Sequence, residues 1–294
     1  MLLEKRLDCT IDKVQTAIDR LKSFEPEEGY RLAYSGGKDS CVIKRLAEMA
    51  GVKFQAHYSC TSVDPPELVW FIKAQKDVHF DIPRYDDGKP ITMWNLIPKK
   101  KIPPTRFMRY CCQELKESQG KGMPTITGVR WQESVNRSKN QGLINMFGET
   151  KKQRLILNDD NDETRRMVEN CYRTRTTLIN PIIDWTDSDV WEFHKVESLP
   201  YCELYGDIKV ENNYYTCTGK KRLGCIGCPM STNAKQELEN YPKYKAAYIK
   251  AFDNMLIART KATKWQSGEE VMDWWINGGN KYVDPNQISF MEEL

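Results

Sequence analysis

The 294-residue chain is 40% hydrophobic and 29% charged, enough to bury a sizeable core as one large domain or one with an appendage. Its net charge of +3 is too small to indicate a nucleic-acid partner, so only local clustering can argue for one. No run approaches the ~18 apolar residues of a membrane span, and charges interrupt the opening "MLLEKRLDCTIDK", so no signal peptide and no membrane contact are expected, and the chain reads as cytoplasmic.

Val14, Ile18 and Leu21 stand at helical spacing and predict an N-terminal helix filling most of residues 1–28. "YRLAY" then reads as a strand, followed by a glycine turn and the helix "DSCVIKRLAEMAG", which Gly51 closes. A second strand, "VKFQAHYS", precedes a helix opened by Pro65 and Pro66, and "VHFDIPRY" is a third strand. Residues 99–116, "KKKIPPTRFMRYCCQELK", are basic and proline-broken, and "PTITGVR" is a further core strand. Residues 136–166 are polar with few apolar anchors and predict a mobile insertion. "LINPIIDWTDSDVWEFHK" reads as a strand and a helix capped by Asp187 or Ser188.

Alternating strands and helices predict a doubly wound, mainly parallel α/β core over residues 29–204. The composition shift near Tyr205 predicts a C-terminal cysteine-containing helical region over 205–294. Trp185 and Trp191 read as core, and His57, His79 and His194 as structural residues without ligand spacing.

The turn "SGGKDS", Ser35, Gly36, Gly37, Lys38, Asp39 and Ser40, joins a strand to a helix. Glycines let the backbone approach an anion closely, and the helix directs free N–H groups and its positive dipole end at the same spot. Lys38 adds positive charge and Ser35 and Ser40 add hydroxyls, so the turn reads as a phosphate site, though not a Walker A loop. Arg130 and Arg137 are forks suited to bidentate phosphate or sulfate contacts, and Glu133 can orient one of them or bind metal.

Five of the ten cysteines are grouped: Cys111–Cys112, Cys217, and Cys225-x-x-Cys228. The last pair is a metal-ligand clip whose partners are Cys217 and one of Cys111 or Cys112. Four thiolates suit zinc or an iron–sulfur cluster, and spacing does not separate the two.

The S-G-G-x-D-S turn resembles the PP-loop ATP pyrophosphatases, with an adenine nucleotide alpha hydrolase-like fold. "TSVDPPELVWFIK" (61–73), "RYCCQELK" (109–116), "TGVRWQESVNR" (127–137) and "NPIIDWTDSDVW" (180–191) look like the phosphoadenylyl-sulfate reductase-like branch. The resemblance implies ATP with Mg2+, adenylylation with release of pyrophosphate, and catalytic roles for Lys38 and Asp39, with Asp39 organising the magnesium–phosphate end.

The cysteine order is similar to that of sulfonucleotide reductases carrying a [4Fe–4S] cluster, and also to that of DNA phosphorothioation enzymes, which favours a cluster over Zn2+. Cys111, Cys225 and Cys228 are ligands under either scheme, with Cys217 as the fourth ligand and Cys112 as its alternative. The sequence after Cys228 holds no cysteine of the kind those reductases use as tail nucleophile, and the pyrophosphate loop is intact. The reading is therefore an ATP pyrophosphatase coupled to sulfur transfer, its acceptor a nucleic acid tracked by the basic segment before Cys111, its sulfur supplied by a cysteine desulfurase or other donor. A reductase releasing sulfite is the alternative, and a non-catalytic nucleotide-binding subunit with structural zinc is the second.

Overall fold

The computed structural model describes residues 2–5, 10–117, 120, 122–133, 142–146, 177–260 and 263–277. In chain order the elements are β1 (Leu3–Lys5), β2 (Thr10–Asp12), α1 (Lys13–Ser23), β3 (Tyr30–Ala33), α2 (Lys38–Ala50), β4 (Phe54–Ser59), α3 (Pro66–Lys73), β5 (Val78–Asp81) and α4 (Met93–Lys100). There follow α5 (Tyr110–Cys112), running into a π-helical turn at Gln113–Glu117, then β6 (Thr125–Ile126), β7 (Ile144–Met146), β8 (Thr177–Ile179) and α6 (Asp187–Val196). The last are β9 (Ile208–Glu211), β10 (Tyr214–Cys217), α7 (Ala234–Asn240), α8 (Pro242–Ala258) and α9 (Gly268–Ile276). They form two compact units.

The first unit comprises Met1–Tyr58, Pro66–Asp81 and Gly120–Leu223. Its six-stranded sheet runs β5-β4-β3-β6-β8-β7, with β3 parallel to β4 and β6, β6 parallel to β8, and β7 antiparallel to β8. Register sets Leu32 beside Ala56 and Ile126, and Ile126 beside Ile179, giving one buried apolar row across four strands. Val42, Ile43, Leu46 and Ala47 of α2 are fully buried, and each of the three larger side chains contributes about 1.5–3 kcal/mol. Gly51 ends α2 with φ +68, as expected from the sequence.

Two local expectations are corrected here. The expected N-terminal helix begins only at Lys13, because β1 and β2 pair antiparallel and the Asp12 carboxylate accepts the N–H groups of Val14 (3.0 Å) and Gln15 (3.3 Å). The cap of α6 is Thr186, not Asp187 or Ser188: its hydroxyl accepts from Asp189 N–H at 3.1 Å while the Asp189 carboxylate accepts from Thr186 N–H at 2.7 Å. That reciprocal cap leaves the Asp187 side chain available to other partners. Of the expected insertion, residues 144–146 form the edge strand β7, while Arg137 and most of 136–166 lie outside the described residues, as do Cys9 and Cys171.

The second unit comprises Ser59–Pro65, Ile82–Gln119 and Gly224–Leu294. Its core joins Val63, Leu96, Ile97, Leu115, Ile226 and Leu238 to the aromatic face of α8 and α9, Tyr248, Phe252 and Trp275. Polar tips inside this core are satisfied. Tyr248 Oη donates to Ile226 O at 3.0 Å, Trp275 Nε1 donates to Pro104 O at 2.6 Å, and Ile226 N–H donates to Val63 O at 2.8 Å. These bonds fix the loop that carries Cys225 and Cys228. Among the described residues no helix is long and apolar enough to cross a membrane.

Candidate functional site

In the first unit, strand order reverses between β3 and β6: β4 and β5 lie to one side, β8 and β7 to the other. Open α/β sheets bind ligands at the carboxyl ends of strands on either side of such a reversal. The Ser35–Ser40 turn leaves β3 there, and Gly128 follows β6, where an added Cβ would lie 3.0 Å from the Cβ of Asp39.

Gly36 has φ +69, and a Cβ on it would meet Ile72 Cγ1 at 2.6 Å and Leu68 Cδ1 at 2.8 Å. Positive φ and close packing against α3 both demand glycine. Gly36→Ala is expected to cost about 2–4 kcal/mol, read as a lowered midpoint in urea or thermal unfolding. A stability equal to that of the parent would refute this account of the turn.

Gly37 caps α2 without a side chain, leaving its first turn open at the anion-binding end. The Ser40 hydroxyl donates to Gly37 O at 2.8 Å, and Lys38 N–H donates to Tyr205 Oη at 3.1 Å. His194 Nε2 donates to Lys38 O at 2.9 Å, and burial pushes the His194 pKa down, so its ring is a neutral support. The histidine therefore holds the turn, as a structural reading expects.

Lys38 is buried, and its ammonium lies 3.2 Å from Asp187 Oδ1, 3.7 Å from Asp39 Oδ2, and donates to Lys221 O at 3.1 Å. Arg130, also buried, donates from Nε to Asp39 Oδ1 at 2.6 Å and from one Nη to Asp187 Oδ1 at 3.0 Å. Burial works against the Arg130 charge, but Asp39, Asp187 and Glu133 outweigh it and hold the guanidinium pKa above its ordinary value. Glu133 Oε1 accepts the Arg130 backbone N–H at 3.1 Å, so it orients the arginine segment as one sequence alternative had it.

Two buried cations and two partly exposed carboxylates thus meet beside the turn and balance each other. Ser35, Gly36, Gly37, Lys38, Asp39, Ser40 and Arg130 come together. Asp187 and Tyr205 were not foreseen there: Asp187 was read as a helix cap, and Tyr205 lies 167 residues from the turn it supports.

The cysteines divide between the units. Cys217 ends β10 in the first unit, where its thiol donates to Lys220 O at 3.5 Å; burial raises its pKa, Lys38 lowers it, and Asp187 raises it. In the second unit the Cys111 thiol is hydrogen-bonded to Cys112, which this bond favours as the thiolate of the pair, and Arg109 donates to Cys112 Sγ over 3.8 Å. Cys111 feels the charges of Cys225 and Cys228, and Cys225 is pushed up to about 12 by burial, then by Asp64. Lys116 faces Cys225, Asp64 and Cys112, and the Cys225 charge is the main reason its pKa is raised. Thr61 hydrogen-bonds Cys225. Gly227, at φ +68, lets the Cys225–Cys228 loop turn against Leu238 and Trp275.

Residues 29–233 match the model of the phosphoadenosine phosphosulfate reductase domain. The chain belongs to that family. Among curated members of the family's surroundings, it is 28% identical over 223 residues to an uncharacterized protein of Methanocaldococcus jannaschii, covering 72% of this chain and 44% of that one. It is 30% identical over 123 residues to adenosine 5'-phosphosulfate reductase of Oceanobacillus iheyensis, covering 40% and 36%. The chain thus spans less than half the length of these relatives. A phosphoadenylyl-sulfate reductase from Candida auris, solved with phosphate, is 12% identical over 66% of this chain and 83% of its own, with a TM-score of 0.42. An FMN adenylyltransferase from Candida glabrata, solved with FMN and an ATP analog, is 16% identical over 78% and 72%, with a TM-score of 0.41. The mainly parallel sheet described above, from β3 to β8, lies within the matched residues.

Proposed function

We propose that this family member is an adenylylating ATP pyrophosphatase coupled to sulfur transfer, with a nucleic acid as acceptor. The observation that carries the reading is the intact Ser35–Ser40 turn with Lys38, Asp39, Arg130 and Asp187 converging beside it. A loop serving only a sulfonucleotide, which has no β–γ pyrophosphate, has no use for that set.

The N-terminal end of α2 and Lys38 bind the β and γ phosphates, while Asp39, with Asp187 beside it, would hold Mg2+. An acceptor oxygen attacks the α-phosphorus, the bond from that phosphorus to the bridging oxygen breaks, and pyrophosphate departs with the electron pair. Lys38 and Arg130 exchange their carboxylate partners for this growing charge. The sulfur of a hydrosulfide donor then displaces AMP, which leaves with the acceptor oxygen; with a persulfide donor the same displacement leaves an S–S bond between acceptor and donor, which a second thiol cleaves as it is oxidised to the disulfide.

For the cysteine centre, Cys111, Cys112, Cys225 and Cys228 of the second unit would hold the group, and Cys217 would not. Thiolates on one tetrahedral zinc lie about 3.8 Å apart, given bonds of about 2.3 Å. Among the described residues no three cysteine sulfurs come within 4.8 Å of one another. A [4Fe–4S] cluster seats each cysteine on its own iron and so does not ask three sulfurs to approach that closely. When bound, it supplies iron that accepts or holds sulfur. Beside Cys111 and Cys112 a cavity of about 640 Å3 is lined by Lys100, Phe107, Met108 and Arg109 among others, joining cations to an exposed aromatic face. That combination supports a strand of nucleic acid as occupant, with phosphates on the cations and a base on Phe107.

The paired Cys111–Cys112 with Cys225-x-x-Cys228, and the reductase relative, favour a second reading: reduction of a sulfonucleotide to sulfite. Thermal shifts and products measured side by side with Mg2+–ATP, AMP, adenylyl-sulfate and its 3′-phosphorylated form separate the two. Mg2+–ATP is expected to raise the midpoint by several degrees, as about 2.7 kcal/mol at a hundredfold excess over Kd requires, and AMP far less. Sulfite release without ATP cleavage would establish the reductase instead.

A further inference from the structure

We infer that His57, His79 and Asp81 form a binding site for a divalent transition-metal ion of the zinc, cobalt or nickel class, separate from both centres above. The three ligand atoms lie within 4.8 Å of one another, and among the described residues this is the one His, Cys, Asp or Glu group of three that does so. Strand geometry produces the site. His79 and Asp81 are two residues apart on β5 and so share a face, and His57 stands on the neighbouring strand β4. His57 Nδ1 is 3.0 Å and His79 Nε2 is 3.6 Å from Asp81 Oδ1. Ligands on one tetrahedral ion at bonds of about 2.1 Å stand about 3.4 Å apart, so the spacing needs only small adjustment.

The surroundings are those of a built site. The His57 and Asp81 side chains are only 14% and 12% exposed. Arg31 donates to Asp81 Oδ2 at 2.6 Å, which orients the carboxylate and leaves Oδ1 facing the two imidazoles. His57 Nε2 meets Gln55 Oε1 at 3.1 Å, the kind of outer contact that fixes the tautomer of a metal-bound histidine. With Nε2–H donating to the Gln55 oxygen, the Nδ1 lone pair is directed at the space beside Asp81 Oδ1 where an ion would sit. His79 is 57% exposed and stands on the solvent side of the group. Two imidazoles and one carboxylate leave open positions for water and suit borderline metals over Mg2+ or Ca2+.

The test is titration of the full chain, purified without oxygen with its cysteine centre intact, with Zn2+ by calorimetry and Co2+ by visible absorption. One equivalent should bind, and the cobalt spectrum should show nitrogen–oxygen ligation without the intense thiolate-to-cobalt band. His79→Ala lies at an exposed position, spares the fold, and should weaken affinity at least about a hundredfold, while Gln55→Ala should weaken it about tenfold. Unchanged affinity in His79→Ala, a thiolate-dominated cobalt spectrum, or no binding would each overturn the site. Because neither nucleotide nor iron enters this measurement, its failure leaves the proposed reaction standing, and failure of ATP cleavage leaves the metal site standing.

Discussion

Asp39→Asn is expected to lower pyrophosphate release from ATP by at least about a hundredfold while iron content and solubility stay at parental values. The substitution keeps the shape of the side chain and its contact with Arg130 but removes one of the two charges that face Lys38 and Arg130. Mg2+ loses a hard anionic ligand, and the cation pair loses half of its counter-charge. Lys38→Ala should be as severe for turnover, at about 10²–10³-fold, since Lys38 neutralises charge on the leaving group. It should also cost stability, because Asp187 and Asp39 would then share only Arg130 as counter-charge, with their carboxylates partly withdrawn from water. Lys38→Arg, which keeps the charge, separates the two effects: it should restore the unfolding midpoint more fully than it restores turnover. Product assay by pyrophosphate detection and unfolding by circular dichroism check both. An Asp39→Asn protein that still cleaves ATP at the parental rate would remove the turn from the mechanism.

The turn itself was legible because its chemistry is local. Ser35 to Ser40 lie within six consecutive residues, and strand, glycines and helix follow one another in sequence order. Arg130 was reachable because it follows a core strand at a glycine. Asp187 was not, since a residue at the start of a helix serves equally as cap or as partner of a distant cation, and the Thr186–Asp189 pair, which takes the capping role, leaves it to Lys38 and Arg130. The N-terminal hairpin escaped for a similar reason: β1 and β2 are three residues each, too short for alternation to stand out against the helical spacing that follows. The His57, His79 and Asp81 group is invisible in a linear reading, because 22 residues separate His57 from His79 and only the pairing order of the sheet makes them neighbours.

Cys112→Ser is expected to lose most of the iron, and Cys217→Ser to keep it. Cys112 is hydrogen-bonded to Cys111 within the second unit, with Arg109 donating to its sulfur and Lys116 nearby to balance thiolate charge. Cys217 ends β10 of the first unit, and the groups that act on it are Lys38 and Asp187. Serine keeps the size of the side chain but not the soft sulfur that iron takes as ligand. Loss of one ligand should leave the remaining three partly buried thiols without their metal, so Cys112→Ser should also bring reduced solubility and a lower unfolding midpoint. Cys225→Ala should do the same more severely, since the partly buried Cys225 also anchors Thr61 and Lys116. Cys217→Ser should instead alter turnover or nucleotide affinity, because its surroundings are those of the pyrophosphate turn. Iron and acid-labile sulfide per chain, measured on protein prepared without oxygen, read the outcome directly. Iron retained in Cys112→Ser and lost in Cys217→Ser would reverse the assignment and return Cys217 to the ligand set, and stoichiometric zinc without sulfide in the parent would dismiss the cluster.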